Sequence, residues 1–235
     1  MSRTITWLHL SDIHACRPNT GWDAHRVLET LLKDLGRMRD SHQLIPNLIF
    51  FTGDAAFGHL GHEKGRAISD QFRAAHEFLT AVRAVYTPQI SQRNIFLVPG
   101  NHDVNRAEIT EMDTEWLNRQ ESLNGIEKIL RDANISWRRL RDRQNDYERA
   151  LESFGYDHLL TNRERLIYAD MREVAGVRIG IGGFNSAWSS RGAGREEIGR
   201  LWMAGRFQLE TIRQNLPSHD FSIALIHHPG NWLVP

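Results

Sequence analysis

Five short apolar runs, each breaking abruptly into polar residues, constrain this 235-residue chain more than any other feature. They are ITWLHL at 5–10, NLIFFT at 47–52, NIFLVP at 94–99, VRIGIGGF at 177–184 and FSIALI at 221–226. Near-continuous Val, Ile, Leu and Phe predicts strands covered on both faces. Between the first two runs, Val27, Leu28, Leu31, Leu32, Leu35 and Met38 recur at helical spacing. Between the second and third, Phe72, Ala75, Phe78, Leu79 and Val82 share one helical face. Strand, helix, strand, helix, strand predicts right-handed crossovers and an α/β fold with a largely parallel inner sheet. A further helix is expected over 203–216, ahead of the last strand.

The stretch 105–170 differs, with 11 basic and 14 acidic residues. WRRLRDRQNDYERALESF within it predicts an exposed helix with a sparse apolar stripe of Trp137, Leu140, Tyr147 and Leu151. The whole stretch reads as a helical insertion over one sheet edge, a cap beside the active site. The interleaved acids of Trp137 to Arg149 point to a solvated helix rather than a nucleic-acid contact. The whole chain has 29 basic and 29 acidic residues, which argues against a polycation working mainly on nucleic acid. The single Cys16 excludes an intramolecular disulfide and fits a reducing, cytoplasmic setting. No apolar run approaches the ~20 residues of a membrane span, so no membrane partner is expected.

Metal-binding residue types fall just after four of the five runs. The first leads into Asp12-Ile13-His14, the second into Gly53-Asp54, the third into Gly100-Asn101-His102-Asp103, and the last into His227-His228-Pro229. Ligands of open α/β sheets bind at the carboxyl ends of the strands, where these segments would converge. In an extended Asp-x-His segment, alternation turns Asp12 and His14 the same way. Asp54 can lend one oxygen to each of two cations, and Asn101 offers a neutral carbonyl oxygen. Imidazole suits zinc, iron and manganese, and the mixed N/O set is too nitrogen-rich for a calcium cage. Gly53 and Gly100 let the backbone turn sharply off its strand.

SDIH, TGD, PGNHD and IHHP, in this order and at strand ends, resemble the calcineurin-like metallophosphoesterase superfamily. The resemblance runs from residue 12 to 229 and implies a four-layer α/β/β/α sandwich. It implies that Asp12 and His14 hold a first divalent cation, that Asp54 bridges, and that Asn101 and His227 hold a second. His227 is preferred because the family's ligand stands two residues before the Pro; His228 is either a second functional group or a packed neighbour. Asn101 and His102 would contact substrate, with His102 assisting the leaving group and Asp103 orienting it through a hydrogen bond. The implied reaction is hydrolysis of a phosphate ester by a hydroxide bridging two cations, Mn²⁺ first among Mn, Fe, Zn and Mg. Within the superfamily the motifs are most similar to the cyclic-nucleotide phosphodiesterase branch, so a cyclic nucleotide or other small diester is the expected substrate. The alternatives are a nuclease or nucleotide-cleaving effector domain of a larger protein, with nucleic acid as partner, and a catalytically inactive scaffold. The family's final G-H-x-H is absent, so residues 1–235 are expected to be one such domain short of its closing strands and last ligands.

The remaining candidates have plainer explanations. His9 is expected to be a satisfied core histidine, and His25, His42, His76, His158 and His219 to be solvated. Cys16 is a bystander. Asn185, Ser186 and Arg191 could reach the substrate pocket, but RGAG at 191–194 predicts an ordinary glycine-rich loop. GHLGH at 58–62 has the wrong spacing for G-H-x-H and is expected at the rim of the site.

Overall fold

Runs without a polar face need cover on both sides, and two of the first three runs have it. The computed structural model describes residues 4–15, 24–58 and 67–234; Cys16, the His25 side chain and most of GHLGH lie outside them. β1 (Trp7–Leu10), β2 (Leu48–Thr52) and β3 (Ile95–Val98) form a sheet in that order, parallel throughout. Every residue of β2 and β3 is buried. β1 departs from the expectation because it is the edge strand, with Trp7 50% exposed. His9 is accordingly satisfied but not in the core: its Nε2 lies 2.8 Å from Thr52 Oγ1, yet His9 itself is exposed.

The crossovers are α1 (Ala24–His42) and α2 (Ile68–Ala84). All five residues predicted on the α2 face are buried. On α1, Leu28, Leu31, Leu32 and Leu35 pack against the core, whereas Val27 and Met38 are exposed, so its apolar stripe is narrower than the spacing suggested.

The helical stretch holds four short helices, α3 (Glu111–Asn118), α4 (Leu123–Asp132), α5 (Ile135–Asp142) and α6 (Asn145–Ser153). The single exposed helix expected at its end is therefore two, and Trp137, Leu140, Tyr147 and Leu151 are all buried. The break falls at Arg143, whose buried guanidinium donates to the carbonyls of Leu140, Trp188 and Ser190. A cation turned inward onto three carbonyls cannot also continue a solvated helix face.

A strand that sequence reading missed follows. β4 (Tyr168–Val174) pairs antiparallel with β5 (Val177–Gly183), and β5 pairs parallel with β6 (Phe221–Leu225). The β4–β5 hairpin turns at Ala175 and Gly176, both at positive φ (52° and 73°), the conformation that two-residue hairpins favour. The charges of YADMREV concealed its alternation. Tyr168, Ile179, Ile181 and Leu225 of this second sheet share one core with β2, β3, α1 and α2. On its other side Ile212 of α7 (Gly205–Asn215) packs with Ile167 and Phe184. The order helix, parallel sheet, mixed sheet, helix is the four-layer arrangement expected.

Two histidines are packed rather than solvated. His76 stacks on Phe154 with centroids 4.4 Å apart, and His158 Nε2 donates to the Ile95 carbonyl at 2.9 Å. Burial lowers the pKa of both. Among the described residues no helix is long and apolar enough to cross a membrane.

Candidate metal centre

The loops that leave β1 and β2 stay paired after the strands end. Asp12 N–H donates to the Gly53 carbonyl (3.1 Å), His14 N–H to Asp54 (3.1 Å) and Ala15 N–H to Ala55 (2.9 Å). The segment is not extended, as the alternation argument assumed. Asp12, His14 and Asp54 all adopt left-handed backbone, with φ of 56°, 45° and 56°. That conformation costs a non-glycine residue about 1–2 kcal/mol, so tertiary contacts rather than local preference set this loop. It still brings Asp12 Oδ1 within 3.8 Å of His14 Nε2. The other oxygen of Asp12 accepts from the Ser11 hydroxyl.

Asp103 does not contact the His102 ring as expected. One of its oxygens accepts from Asp54 N–H and Gly100 N–H, and the other from Ala56 N–H, all at 2.9 Å. It staples the loops after β2 and β3 together. The ring of His102 is oriented instead by the Phe57 carbonyl, 2.7 Å from its Nδ1. A carbonyl only accepts, so Nδ1 carries the proton and Nε2 keeps its lone pair. Burial, followed by weaker effects, lowers His102 to about 4, so the ring is neutral at pH 7 in the metal-free chain.

His227 arrives from β6, across the core from the other donors. Its Nδ1 lies 2.7 Å from the Thr52 carbonyl and must donate there, which leaves Nε2 as a lone pair. That Nε2 is 3.6 Å from Asp54 Oδ1 and 3.2 Å from Asn101 Oδ1. His228, buried to 2% exposure, places its own Nε2 3.2 Å from the same Asn101 oxygen. Its Nδ1 sits 2.8 Å from Ser186 Oγ, which accepts from the His228 backbone N–H. The Asn101 oxygen can only accept, so Nε2 carries the proton of this neutral ring and Nδ1 accepts from the Ser186 hydroxyl; His228 Nε2–H thus holds the Asn101 amide oxygen.

Asp54, 3% exposed, is the hub of this arrangement. Its Oδ2 is 3.8 Å from His14 Nε2, while its Oδ1 faces His227 and accepts from His102 N–H at 2.9 Å. Two groups with mutually close ligand atoms share it: His14, Asp54 and His102, and Asp12, Asp54 and His227. His102 thus stands closer to His14 than a remote substrate contact would, with ring centroids 4.6 Å apart.

The donor chemistry fits divalent cations. The lone pair of His227 Nε2 faces two oxygens, Asn101 Oδ1 at 3.2 Å and Asp54 Oδ1 at 3.6 Å. Ligand atoms about 2.0–2.2 Å from a common metal stand roughly 3–3.5 Å apart, close to these separations. Burial pushes both Asp54 and Asp103 upward, with repulsion from Asp12 adding to the first and from Asp54 to the second, a penalty that a cation would offset.

That penalty has a measurable sign. In the metal-free folded chain Asp54 is pushed from 3.8 up to about 7, so between those values the folded state holds a proton that the unfolded state has released. Its contribution to stability falls as pH rises through this window. The lowered histidines act the opposite way, so the difference between wild type and Asp54→Asn isolates the carboxyl. In EDTA, Asp54→Asn is expected to unfold at increasingly higher temperature than wild type from pH 4 to 7, with a constant gap above. A gap independent of pH would mean that Asp54 is not held as described.

Sequence reading missed Thr52 and Phe57, which act through carbonyls and so leave no side-chain signal. Ser186, which the sequence reads as part of an ordinary loop, instead holds the His228 ring. Arg106 was also missed, although its position four residues after His102 hinted at a shared face; its NH2 lies 3.3 and 3.4 Å from the two ring nitrogens. A family model described as calcineurin-like phosphoesterase matches residues 5–232. No curated protein matches the chain.

Proposed function

The chain belongs to the calcineurin-like phosphoesterase family, and from that premise we propose that it is a metal-dependent phosphodiesterase acting on a small diester through two divalent cations, Mn²⁺ first among them. The observation that carries this reading is the division of Asp54, one oxygen toward His14 and the other toward His227, whose Nε2 also meets Asn101. When bound, the cations would supply a nucleophile from water at neutral pH and neutralise charge developing on the phosphoryl oxygens.

The side chains have separable roles. Asp12, His14 and Asp54 would hold the first cation, and Asp54, Asn101 and His227 the second. The Thr52 carbonyl fixes the ligating tautomer of His227, and Ser186 fixes, through His228, the orientation of Asn101. Asp103 keeps Asp54 and Asn101 in register by binding the backbone on both sides. His102 presents the lone pair of Nε2 to the ester, and only after that nitrogen takes up the proton released by the attacking water could the ring pass it to the departing oxygen. A reducing cytoplasm is the proposed setting, a reading that the single Cys16 supports.

A substrate panel with Mn²⁺ tests the reading: phosphomonoesters, linear and cyclic diesters, and single-stranded DNA. Expected is hydrolysis of small diesters at least about tenfold faster in kcat/KM than of monoesters or DNA, abolished by EDTA and restored by Mn²⁺. DNA cleaved fastest would make the chain a nuclease. Metal bound without hydrolysis of any ester would make it a scaffold.

A further inference from the structure

Arg106 opens a short turn (Arg106–Glu108) between β3 and α3 and aims its guanidinium back at the centre. Other guanidiniums with little exposure have their donors met, Arg141 by Glu148, Arg172 by Asp170, Arg191 by Glu197, and Arg143 by the carbonyls of Leu140, Trp188 and Ser190. Arg106 is not. Among the described residues its polar contacts are those to the His102 ring alone, and its Nε is buried with no hydrogen-bond partner. The ring can accept only at Nε2, because Nδ1–H is committed to the Phe57 carbonyl. Among the described residues, a group with five N–H donors therefore uses one, on a long 3.4 Å contact.

The fold makes room for this side chain deliberately. Its stem runs between two glycines at positive φ, Gly58 (+93°) and Gly192 (+73°). A Cβ on Gly192 would come within 3.3 Å of both Cδ and Nε of Arg106, and one on Gly58 within 3.1 Å of the His102 carbonyl. The RGAG segment, read from sequence as an ordinary loop, is one wall of the slot. The guanidinium also lies near enough to Asp54 to favour its charged form.

We propose that Arg106 is a substrate-binding residue of this centre, gripping a phosphoryl oxygen of the ester beside His102. A planar fork with spare donors matches a tetrahedral oxyanion, whereas the lone pair of a neutral imidazole satisfies only one of its N–H groups. The proposal rests on the phosphoesterase reading above. It adds that the anion is held by a fixed positive charge outside the set of metal donors.

The test uses inorganic phosphate as the probe and the Mn²⁺-loaded chain as wild type, Arg106→Gln and Arg106→Lys. Phosphate binding is read by calorimetry, bound manganese by elemental analysis, and KM and kcat with bis-para-nitrophenyl phosphate. Arg106→Gln is expected to weaken phosphate binding about 10- to 100-fold, the range for a hydrogen bond to a charged group. KM should rise by a similar factor with manganese content unchanged, and Arg106→Lys should recover part of the loss. Unchanged phosphate affinity in Arg106→Gln overturns the proposal, as does a wild type that binds no phosphate. Manganese lost from Arg106→Gln overturns it too, because the residue would then be a prop for the donors. Should Arg106→Gln not fold, Arg106→Lys keeps the charge and stem, and unchanged affinity and KM there count against the fork. Failure of the phosphoesterase reading shows separately, as a wild type that hydrolyses nothing, while calorimetry still reports on Arg106.

Discussion

Asp54→Asn is expected to lower kcat/KM for any phosphodiester by about 10³-fold or more, at the upper end of what removing one preorganised catalytic contact costs. The replacement is isosteric, so the loops should keep their shape. The backbone N–H groups of Asp54 and Ala56 would still meet Asp103, and that of His102 would still find the amide oxygen. What disappears is the charge and one of two equivalent oxygens. A single amide oxygen cannot serve both the His14 side and the His227 side. Manganese content should fall together with activity, while the metal-free chain becomes more stable near neutral pH because a desolvated carboxylate next to Asp103 has been removed. Steady-state kinetics, elemental analysis and thermal unfolding in EDTA measure the three effects. Metal-dependent hydrolysis at wild-type rate in Asp54→Asn would end the assignment.

Gly100→Ala should be nearly as damaging, by a different route. The backbone there, at φ −104°, would tolerate any residue. The obstacle is space: a Cβ would stand 2.2 Å from Asp54 Oδ1 and 2.5 Å from Asp54 N. Neither can retreat, because Asp54 N–H and Gly100 N–H are pinned to the same Asp103 oxygen. The loops must part, at about 1–3 kcal/mol for the overpacking, and the Asp54–Asn101–His227 acceptors separate with them. Metal affinity is expected to fall at least about 100-fold, the upper end for disturbing groups that orient ligands. Gly36→Ala in α1 is the control: a Cβ there meets nothing within 4 Å. It should be neutral or stabilising by about 0.4–1 kcal/mol. If Gly100→Ala bound manganese like wild type, the tight approach of the two loops would not matter to the site.

Some of this was legible in the chain because the signals are local. β2 and β3 are apolar runs of one character, and α2 has an unbroken helical face, so burial pattern and sequence pattern coincide. The donors at strand ends were legible for the same reason, each lying within a few residues of a strand that could be recognised. Reading failed where neighbours in space decide. β1 looked like β2 but lies at the edge, and edge position is a property of the sheet rather than of the run. The helix over 137–149 looked exposed because its charges were counted without knowing that Arg143 points inward to Trp188 and Ser190. β4 was hidden because a half-buried strand tolerates charges on alternate positions, which the same residues would show in an exposed helix.

The sequence by itself determined the strand-and-helix order and the residue types delivered to the strand ends, since both follow from short-range pattern. Only the tertiary structure decided how those residues are wired. Asp103 could not be known as a staple for the Asp54 loop rather than a partner of His102. The protonated nitrogen of His227 depends on a carbonyl 175 residues away, and the orientation of Asn101 on a histidine 127 residues away. The slot for Arg106 depends on two glycines on either side of it in sequence. A side chain's type fixes which hydrogen bonds and ligands are available to it. Which of them it uses is set by the partners that burial leaves within about 3 Å, and a chain brings those together only by folding.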